Sequence, residues 1–374
     1  MSRIVIAAGI FPPDIGGPAT YTQELATYLA NRHHQVTVVC FSDEIIPETQ
    51  SSFTVHRIKR RAKLWSHLQY LWTLASVSQG CDVVYAQGPI AGGWPAVIVS
   101  GLWGVPLTVK ITGDYAWEQA GVRYHYRRTI EQFQTETQVP ARIKLLRLIQ
   151  HWVVKRAKRV IVPSNYLANL VRGWGVDPAD VVVIPNSFTA AQQPASSWSQ
   201  RPLLVTSVGR LVPWKRYDQL IACWPEVIQQ VPGARLRIIG DGPELITLKA
   251  AAAGQTTIEL TERLPHGQVL EALQEARVFV LNSTYEGLSH VVIEALAAGT
   301  VPVVTAVGGN GEIITDQLTG LLVAVDDQSA LVAALVRALI DAALAAQVEA
   351  NKRSILDQMA VATVMSATEA KLLS

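Results

Sequence analysis

The sequence predicts two α/β domains of the doubly wound type, and three observations carry this prediction. Short apolar runs rich in valine and isoleucine alternate with helical patterns along most of the chain, as expected for buried parallel strands that helices cover on both faces. The alternation stops once, at residues 188–200, which carry no charge and no apolar period and are typical of a linker. The length of 374 residues suits two domains better than one.

In the first half, strands are expected wherever a short β-branched run is bounded by turn residues. A helix is predicted over residues 19–32. The predicted strands are residues 3–8, 35–41, 54–57, 83–86, 107–111, 159–163 and 181–184.

The second half repeats the alternation after the linker, and its tail from residue 329 to residue 374 is predicted to contain helices but no strand. Helices are predicted over residues 217–230, 243–252, 267–276 and 288–298, and strands over residues 203–208, 234–239, 257–260, 278–282, 301–305 and 320–323. The predicted organisation is a first domain over 1–187, a linker over 188–200, a second domain over 201–350, and a C-terminal helix over 351–374 that packs back on the first domain.

Composition excludes several protein classes. With 49% apolar and 17% charged residues, the chain is not disordered. Its three cysteines lie far apart, which argues against a disulfide framework and for a reducing, cytoplasmic compartment. The uncharged stretch over 83–109 is long enough for a membrane span, but its prolines and glycines favour strand, short helix and strand.

Charge divides the chain unequally. Residues 1–185 contain 19 Lys and Arg against 12 Asp and Glu, whereas residues 186–374 contain 13 against 18. The basic residues cluster at 57–63 and over 123–159, where an apolar stripe of Ile143, Leu146, Ile149, Trp152 and Val153 runs along one predicted helix. These features suggest contact with an anionic membrane. A stripe that packs on the sheet beside a solvated basic face explains the same pattern. A phosphate-rich soluble acceptor would explain the basic charge equally well.

Ligands of open α/β sheets bind outside the carboxyl ends of the strands, so the loops that follow strands are the candidate sites. Two sheets whose carboxyl ends face each other are expected to form a cleft. After the first strand, Gly16 and Gly17 would let backbone amides approach a ligand just before a helix. The loop lacks the GxGxxG spacing of a dinucleotide site, and a Gly-Gly pair taken alone is more often a tight turn than a phosphate site.

Two loops of the second half carry charged residues at strand ends. Arg210 and Lys215 follow the first strand there, and a guanidinium with an ammonium suits a diphosphate. A solvated basic turn is the alternative. Further on, Glu286 precedes a helix N-terminus and Glu294 lies eight residues later in an otherwise apolar helix. A carboxylate in such a helix is costly unless it is paired or functional.

Taken together these motifs resemble the family-4 retaining glycosyltransferases of the GT-B fold over essentially the whole chain. The matching features are Gly16 and Gly17, Arg210 with Lys215, the GDGPE turn at residues 240–244, and Glu286 with Glu294. The resemblance implies two Rossmann-like domains, a nucleotide-diphosphate sugar as donor, and no metal or other cofactor.

The resemblance also implies individual roles. Arg210 and Lys215 would hold the donor diphosphate and Glu294 the ribose, while Glu286 would lie beside the transferred sugar. The remaining donor contacts implied are the amides of Gly287, Leu288 and Ser289, the segment at Arg263 and Leu264 beside the base, the turn at Gly240, and Gly16 with Gly17 at the diphosphate.

The chain departs from the family pattern in the first domain. Many members carry a histidine after a strand near the reacting sugar, and the comparable loop here, KITGDYAWE, offers Asp114. Asp114 is therefore predicted to orient the acceptor or act as base, with a turn cap as the alternative.

The function predicted is retaining hexosyl transfer to a glycan or lipid-linked acceptor in cell-envelope synthesis, in the cytoplasm or at the inner membrane face. No nucleic acid partner is expected. A nucleotide-sugar epimerase of the same architecture and a non-catalytic sugar-nucleotide-binding protein are the alternatives.

Overall fold

A computed structural model describes residues 1–14, 16–43, 52–60, 63–188 and 196–374. The chain forms two compact units. The first unit contains Met1–Gln119, Glu136–Ser187 and Val361–Ser374, and the second unit contains Ala120–Thr135 and Phe188–Ala360. Of the predicted linker, residues 189–195 lie outside the described residues.

Strands and helices alternate along the part of the chain before residue 188, as the sequence predicted. The strands are β1 Arg3–Ala7, β2 Gln35–Ser42, β3 Thr54–Lys59, β4 Val83–Gln87, β5 Leu107–Lys110, β6 Arg159–Val162 and β7 Val181–Val183. The helices are α1 Gly17–Asn31, α2 Lys63–Ser78, α3 Trp94–Trp103, α4 Tyr115–Tyr124, α5 Ile130–Thr135, α6 Ala141–Arg156 and α7 Asn165–Gly173.

The first unit is built on a parallel seven-stranded sheet in the order β3-β2-β1-β4-β5-β6-β7. One face packs against α1 and against the C-terminal helix of the chain, and the other face packs against α2, α3, α6 and α7. Because both faces are covered, strands such as β4 are buried throughout and read as continuous apolar runs.

The remaining elements follow from residue 188 onward. The strands are β8 Leu204–Val208, β9 Arg235–Ile239, β10 Ile258–Thr261, β11 Val278–Leu281, β12 Val301–Thr305 and β13 Leu321–Val323. The helices are α8 Tyr217–Gln230, α9 Leu245–Ala251, α10 His266–Glu275, α11 His290–Ala297, α12 Asn310–Ile313, α13 Gln328–Ile340, α14 Ala342–Asn351, α15 Arg353–Gln358 and α16 Val361–Leu372.

The second unit is built on a parallel six-stranded sheet in the order β10-β9-β8-β11-β12-β13. Each strand that the sequence predicted is present within one or two residues, and the doubly wound α/β fold is confirmed for both units. The short α4 and α5 were not among the predicted elements.

The units divide the chain differently from the predicted boundaries in two places. The second unit extends to Ala360 rather than to residue 350, because Ile355 and Leu356 pack against its core and the Phe188 amide bonds to the Met359 carbonyl. Residues 120–135 also group with the second unit. There Gly121 lies against the indole of Trp214, so close that an added Cβ would be 3.2 Å from the ring.

The last helix, α16, belongs to the first unit and packs beside α1. Its Glu369 accepts bonds of 2.9 Å from both Arg32 and His34 at the end of α1. The preceding residue, Thr368, shares a buried 3.0 Å bond with the hydroxyl of Tyr21. Polar contacts therefore fix the register of α16 on the apolar surface of α1.

The uncharged stretch over 83–109 forms β4, a π-helical turn at Gly88–Gly93, α3 and the start of β5, which confirms the strand–helix–strand prediction. No single helix in the described ranges is both long and apolar enough to cross a bilayer. The consecutive segments Gln328–Ile340 and Ala342–Gln358 satisfy length and composition only as a pair, with a bend of 86° between them.

Most of the apolar stripe that was suggested to face a membrane packs on the sheet, which was the alternative interpretation, whereas its Trp152 is 39% exposed. Ile143 and Val153 are fully buried in the first unit. In the basic run at 57–63, Arg60 forms ion pairs of 2.6 Å with Asp14 and 2.8 Å with Asp43, while residues 61 and 62 lie outside the described residues. Periodicity located helix α6, and the structure supports the packed alternative for most of its stripe.

Lys110, the last residue of β5, is a lysine in the core of the first unit. Its ammonium lies 3.3 Å from the ring centroid of Tyr21 and has no hydrogen-bond partner among the described residues. Burial lowers the pKa of Lys110 to about 7, and the negative charge of Glu24 opposes that shift. A lysine in the unfolded chain has an ordinary pKa near 10.5.

Replacing Lys110 tests this burial through the pH dependence of stability. Between pH 7 and pH 10.5 the unfolded chain binds the proton and the folded one does not, so the free energy of unfolding should rise with pH by at most about 1.4 kcal/mol per unit. Lys110→Met should remove that slope and stabilise the first unit at pH 7. Urea unfolding at pH 7 and pH 9, with the exposed Lys155→Met as control, measures both effects. Parallel pH profiles for wild type and Lys110→Met would show that Lys110 keeps its charge in the fold.

Candidate active site

The second unit gathers four loops at the carboxyl edge of its sheet. These loops follow the neighbouring strands β9, β8, β11 and β12 and begin near Gly240, Arg210, Ser283 and Ala306. The first two loops touch through their backbones, because a Cβ on Gly240 would lie 1.9 Å from the carbonyl oxygen of Gly209. Only glycine permits so close an approach, which explains the first glycine of the GDGPE turn.

A lysine–glutamate pair lies between two of these loops. Lys215 ends a short 3-10 turn at Pro213–Lys215, and its ammonium donates a hydrogen bond to Oε1 of Glu286. The hydroxyl of Ser283 donates to the same oxygen at 2.7 Å. Both charged side chains are largely buried, with exposures of 15% for Lys215 and 10% for Glu286. Removal of either partner would leave a buried charge uncompensated.

The backbone around Glu286 is held from two sides. The Trp214 carbonyl accepts a 2.7 Å bond from the Thr284 amide, which joins the loop after β8 to the loop after β11. From the other side, the Gly309 amide donates to the Glu286 carbonyl at 3.1 Å. Gly308, at a φ of 55°, passes so close that a Cβ there would lie 1.7 Å from that carbonyl oxygen.

Gly308, Gly309 and Ser283 are site residues that the sequence reasoning missed. A double glycine directly after the strand β12 was the available signal for the first two, since the same pattern after the first strand had been singled out. Ser283 gave no signal, because a serine in a loop is common and its bond to Glu286 appears only in three dimensions.

Tyr217, the first residue of α8, is fully buried near Glu286. Burial raises the pKa of its hydroxyl, and the nearby carboxylate of Glu286 adds to that shift. The phenol therefore stays protonated, so no second negative charge forms beside Glu286.

Helix α11 begins directly after the Glu286 loop. Gly287, Leu288 and Ser289 lead into it and are buried, and Ser289 at the N-cap forms no side-chain capping bond. The first turn therefore presents backbone amides and the positive end of the helix dipole. Glu294, on the second turn, is 11% exposed and lies 3.8 Å from the ring nitrogen of His266.

The other predicted donor residues of the second unit occupy different settings. Arg210 is exposed at the end of β8. Arg263 is exposed between β10 and α10, whereas the side chain of Leu264 packs against the apolar core. A contact between this segment and a base would therefore come from Arg263 or from the backbone.

In the first unit, the glycine pair lies where the sequence placed it. Gly16 immediately precedes α1, Gly17 is the first residue of that helix, and the carbonyl of Gly16 accepts bonds from the amides of Ala19 and Thr20. Among the residues that the structure describes, no side chain caps this terminus. Ile15, between the loop and the helix, lies outside the described residues.

Asp114 lies after β5, as predicted, and is 1% exposed. Its Oδ1 accepts a 3.0 Å bond from the Trp117 amide and a 3.1 Å bond from the side-chain amide of Gln150. These bonds make it the N-cap of α4 and tie that helix to α6. The structure therefore supports the capping alternative, and a role as base or acceptor contact stays a prediction.

Two family models match consecutive parts of this chain. A glycosyl transferase 4-like domain matches residues 16–187, and glycosyl transferases group 1 matches residues 189–355. The chain is a family-4 glycosyltransferase of the GT-B fold.

Individual relatives agree with this assignment. The glycogen synthase of Mycobacterium tuberculosis H37Rv is 27% identical over 92% of this chain and 87% of its own length. A GDP-mannose-dependent phosphatidylinositol monomannoside mannosyltransferase of Mycolicibacterium smegmatis is 34% identical over 36% of this chain and 38% of its own.

Solved structures share the fold at lower identity. A sucrose-phosphate synthase from Thermosynechococcus elongatus has a TM-score of 0.78 at 18% identity, covering 99% of this glycosyltransferase and 98% of that chain. Anabaena HepE, in complex with UDP-glucose, has a TM-score of 0.76 at 17% identity, with full coverage of both chains.

Two substitutions separate the possible roles of Asp114. Asp114→Asn keeps a capping oxygen without the charge, so its melting temperature should stay at the wild-type value, whereas Asp114→Ala should lose about 1 kcal/mol of stability. If Asp114 is also a base, Asp114→Asn should lower kcat by about 10²-fold or more at unchanged stability. A kcat for Asp114→Asn within about threefold of wild type would restrict Asp114 to its capping role.

Proposed function

We propose that this glycosyltransferase moves a hexose from a nucleotide-diphosphate sugar to an acceptor hydroxyl, with retention at the anomeric carbon. The observation that carries the proposal is the buried Lys215–Glu286 pair between two loops at the carboxyl edge of the second sheet, directly before the N-terminus of α11. Cations and a helix terminus on one sheet edge attract a diphosphate, and a carboxylate beside them can accept hydrogen bonds from sugar hydroxyls.

Each residue then has a task in the reaction. Lys215, Arg210 and the amides of Gly287 and Leu288 stabilise the charge that develops on the leaving nucleoside diphosphate. The carboxylate of Glu294 accepts hydrogen bonds from the ribose hydroxyls. Because Lys215 and Ser283 already bind Oε1 of Glu286, we assign Glu286 to orienting the sugar rather than to attacking it.

The acceptor proposed is a glycan or a lipid-linked sugar in cell-envelope synthesis, met in the cytoplasm or at the inner membrane face. Support comes from relatives whose names include glycogen synthesis and mannosyl transfer to a phosphatidylinositol monomannoside. The UDP-glucose bound by the similar HepE chain supports a nucleotide-sugar donor.

A panel of nucleotide sugars distinguishes this function from its rivals. A retaining transferase releases nucleoside diphosphate only when acceptor is added, and the product keeps the anomeric configuration of the donor by NMR. An epimerase converts one nucleotide sugar to another without acceptor, and a binding protein shows only thermal stabilisation by its ligand. Either of the last two results, or an inverted product, would overturn the proposal.

We further propose that side chains and helix amides, rather than a divalent metal, neutralise the donor diphosphate. Chelation with EDTA should therefore leave the initial rate of transfer nearly unchanged. The matched control is the same assay after addition of excess Mg²⁺ or Mn²⁺, which should add little. A rate that collapses with chelator and returns with one of these ions would contradict the assignment.

Lys215→Ala and Glu294→Ala should change different kinetic constants. Loss of Lys215 removes stabilisation of the leaving group, so kcat should fall by about 10²-fold or more. Loss of Glu294 removes bonds made in both ground and transition states, so donor KM should rise more than kcat falls. The exposed Lys249→Ala, on α9, is the control for a general charge effect. Small, equal changes from Lys215→Ala and Glu294→Ala would rule out this placement of the donor.

A further inference from the structure

Three neighbouring helices of the first unit, α2, α3 and α6, expose large apolar side chains. All three cover the same face of the sheet, and the indole nitrogen of Trp103 on α3 donates to the Ala75 carbonyl on α2 at 2.9 Å. Four tryptophans and six leucine or isoleucine side chains of these helices are between 39% and 73% exposed. The tryptophans are Trp65, Trp72, Trp103 and Trp152. We call this surface the tryptophan face.

Helix α2 carries large apolar side chains on its outward side as well as on its buried side. Tyr70 and Leu74 of α2 are buried in the core of the first unit. On the opposite side of the same helix, Trp65 and Trp72 are exposed. An ordinary surface helix instead carries polar residues on its outward side. Exposed apolar surface that extends over neighbouring elements marks an interaction site.

The charges on the tryptophan face have one sign. Helices α2, α3 and α6 contain no aspartate or glutamate. Arg142 and Lys144 near the start of α6, and Lys155 and Arg156 at its end, are exposed, and none of the four forms an ion pair within the described ranges. The apolar side chains of α6 thus lie between two basic clusters.

We propose that the tryptophan face docks the enzyme on a bilayer that contains anionic lipids. Tryptophan side chains prefer the boundary between headgroups and acyl chains, and flanking lysines and arginines attract the anionic headgroups. A second copy of the chain is a poorer occupant, because a symmetric contact would set identical basic clusters against each other.

Docking defines the acceptor more closely, in a step that rests on the proposed transferase function. A first unit that lies on a bilayer would meet an acceptor anchored in the same bilayer. The docking itself depends on no catalytic residue, so its test needs no turnover and its failure would leave the transferase assignment intact.

The test is co-sedimentation of the full chain with vesicles of phosphatidylglycerol and phosphatidylethanolamine, compared with phosphatidylcholine alone. The wild type should pellet with the anionic vesicles at low salt and less at high salt. Trp65→Ser with Trp72→Ser should weaken that binding about tenfold or more, since each tryptophan loses its apolar contact with lipid. Ile246→Ser with Ile340→Ser, at exposed apolar positions of the second unit, is the matched control and should bind as the wild type does.

Two further measurements complete the test. Lys144→Gln with Lys155→Gln should remove part of the salt-dependent binding, and melting temperatures should match the wild type for all three double variants. The proposal fails if the wild type stays in solution with anionic vesicles at low salt, or if the tryptophan variant still pellets fully. It also fails if light scattering shows a dimer that the tryptophan substitutions dissociate, since a second copy would then cover the tryptophan face.

Discussion

Both units depend on one constraint, the parallel arrangement of their strands. Two parallel neighbours cannot be joined by a hairpin, so each strand must be followed by a crossover, and the loops that leave the strands collect at a single edge. In the second unit this rule brings together residues as distant in sequence as Lys215 and Gly308. The same rule covers both faces of each sheet with helices, which leaves the loop edge as the surface where polar side chains can converge without loss of core packing.

The charged pair at that edge shows how the fold makes a buried ion pair tolerable. Removing Lys215 and Glu286 from water is costly, and their attraction offsets the cost only if hydrogen bonds complete the geometry. Ser283 supplies one such bond, and the backbone contacts of Trp214 and Gly309 fix the loops that carry the two charges. An exposed pair would let both side chains sample many rotamers. The buried pair holds its carboxylate and ammonium in place before any donor binds, which is the preorganisation that electrostatic catalysis requires.

The sequence was sufficient to predict the fold because buried parallel strands appear in it as continuous apolar runs. Continuous β-branched runs such as β12, together with the helix over residues 217–230, were located to within a residue or two. The site was predicted in part. Lys215 and Glu286 stand out because they lie in loops that follow strands, and Glu294 because it is charged in an otherwise apolar helix. Ser283 acts through a contact that no local pattern encodes, whereas the double glycine that includes Gly308 was a signal left unused. Asp114 was found at the correct strand end, but a cap and a base have the same sequence, and the bonds to Trp117 and Gln150 that support the cap appear only in three dimensions.

The faces of the helices were the least predictable feature, for a reason that α2 and α6 share. An apolar stripe indicates the buried side of a helix only when the opposite side is polar, and here both sides carry large apolar residues. On α6 the stripe with Ile143 and Val153 packs inward, while Leu145 and Leu148 point outward. Core packing accounts for the buried stripe but not for the apolar residues on the opposite side of the helix. An enzyme that kept so much apolar surface in water would risk aggregation, so its retention beside basic clusters is better explained by an anionic, partly apolar surface that covers it.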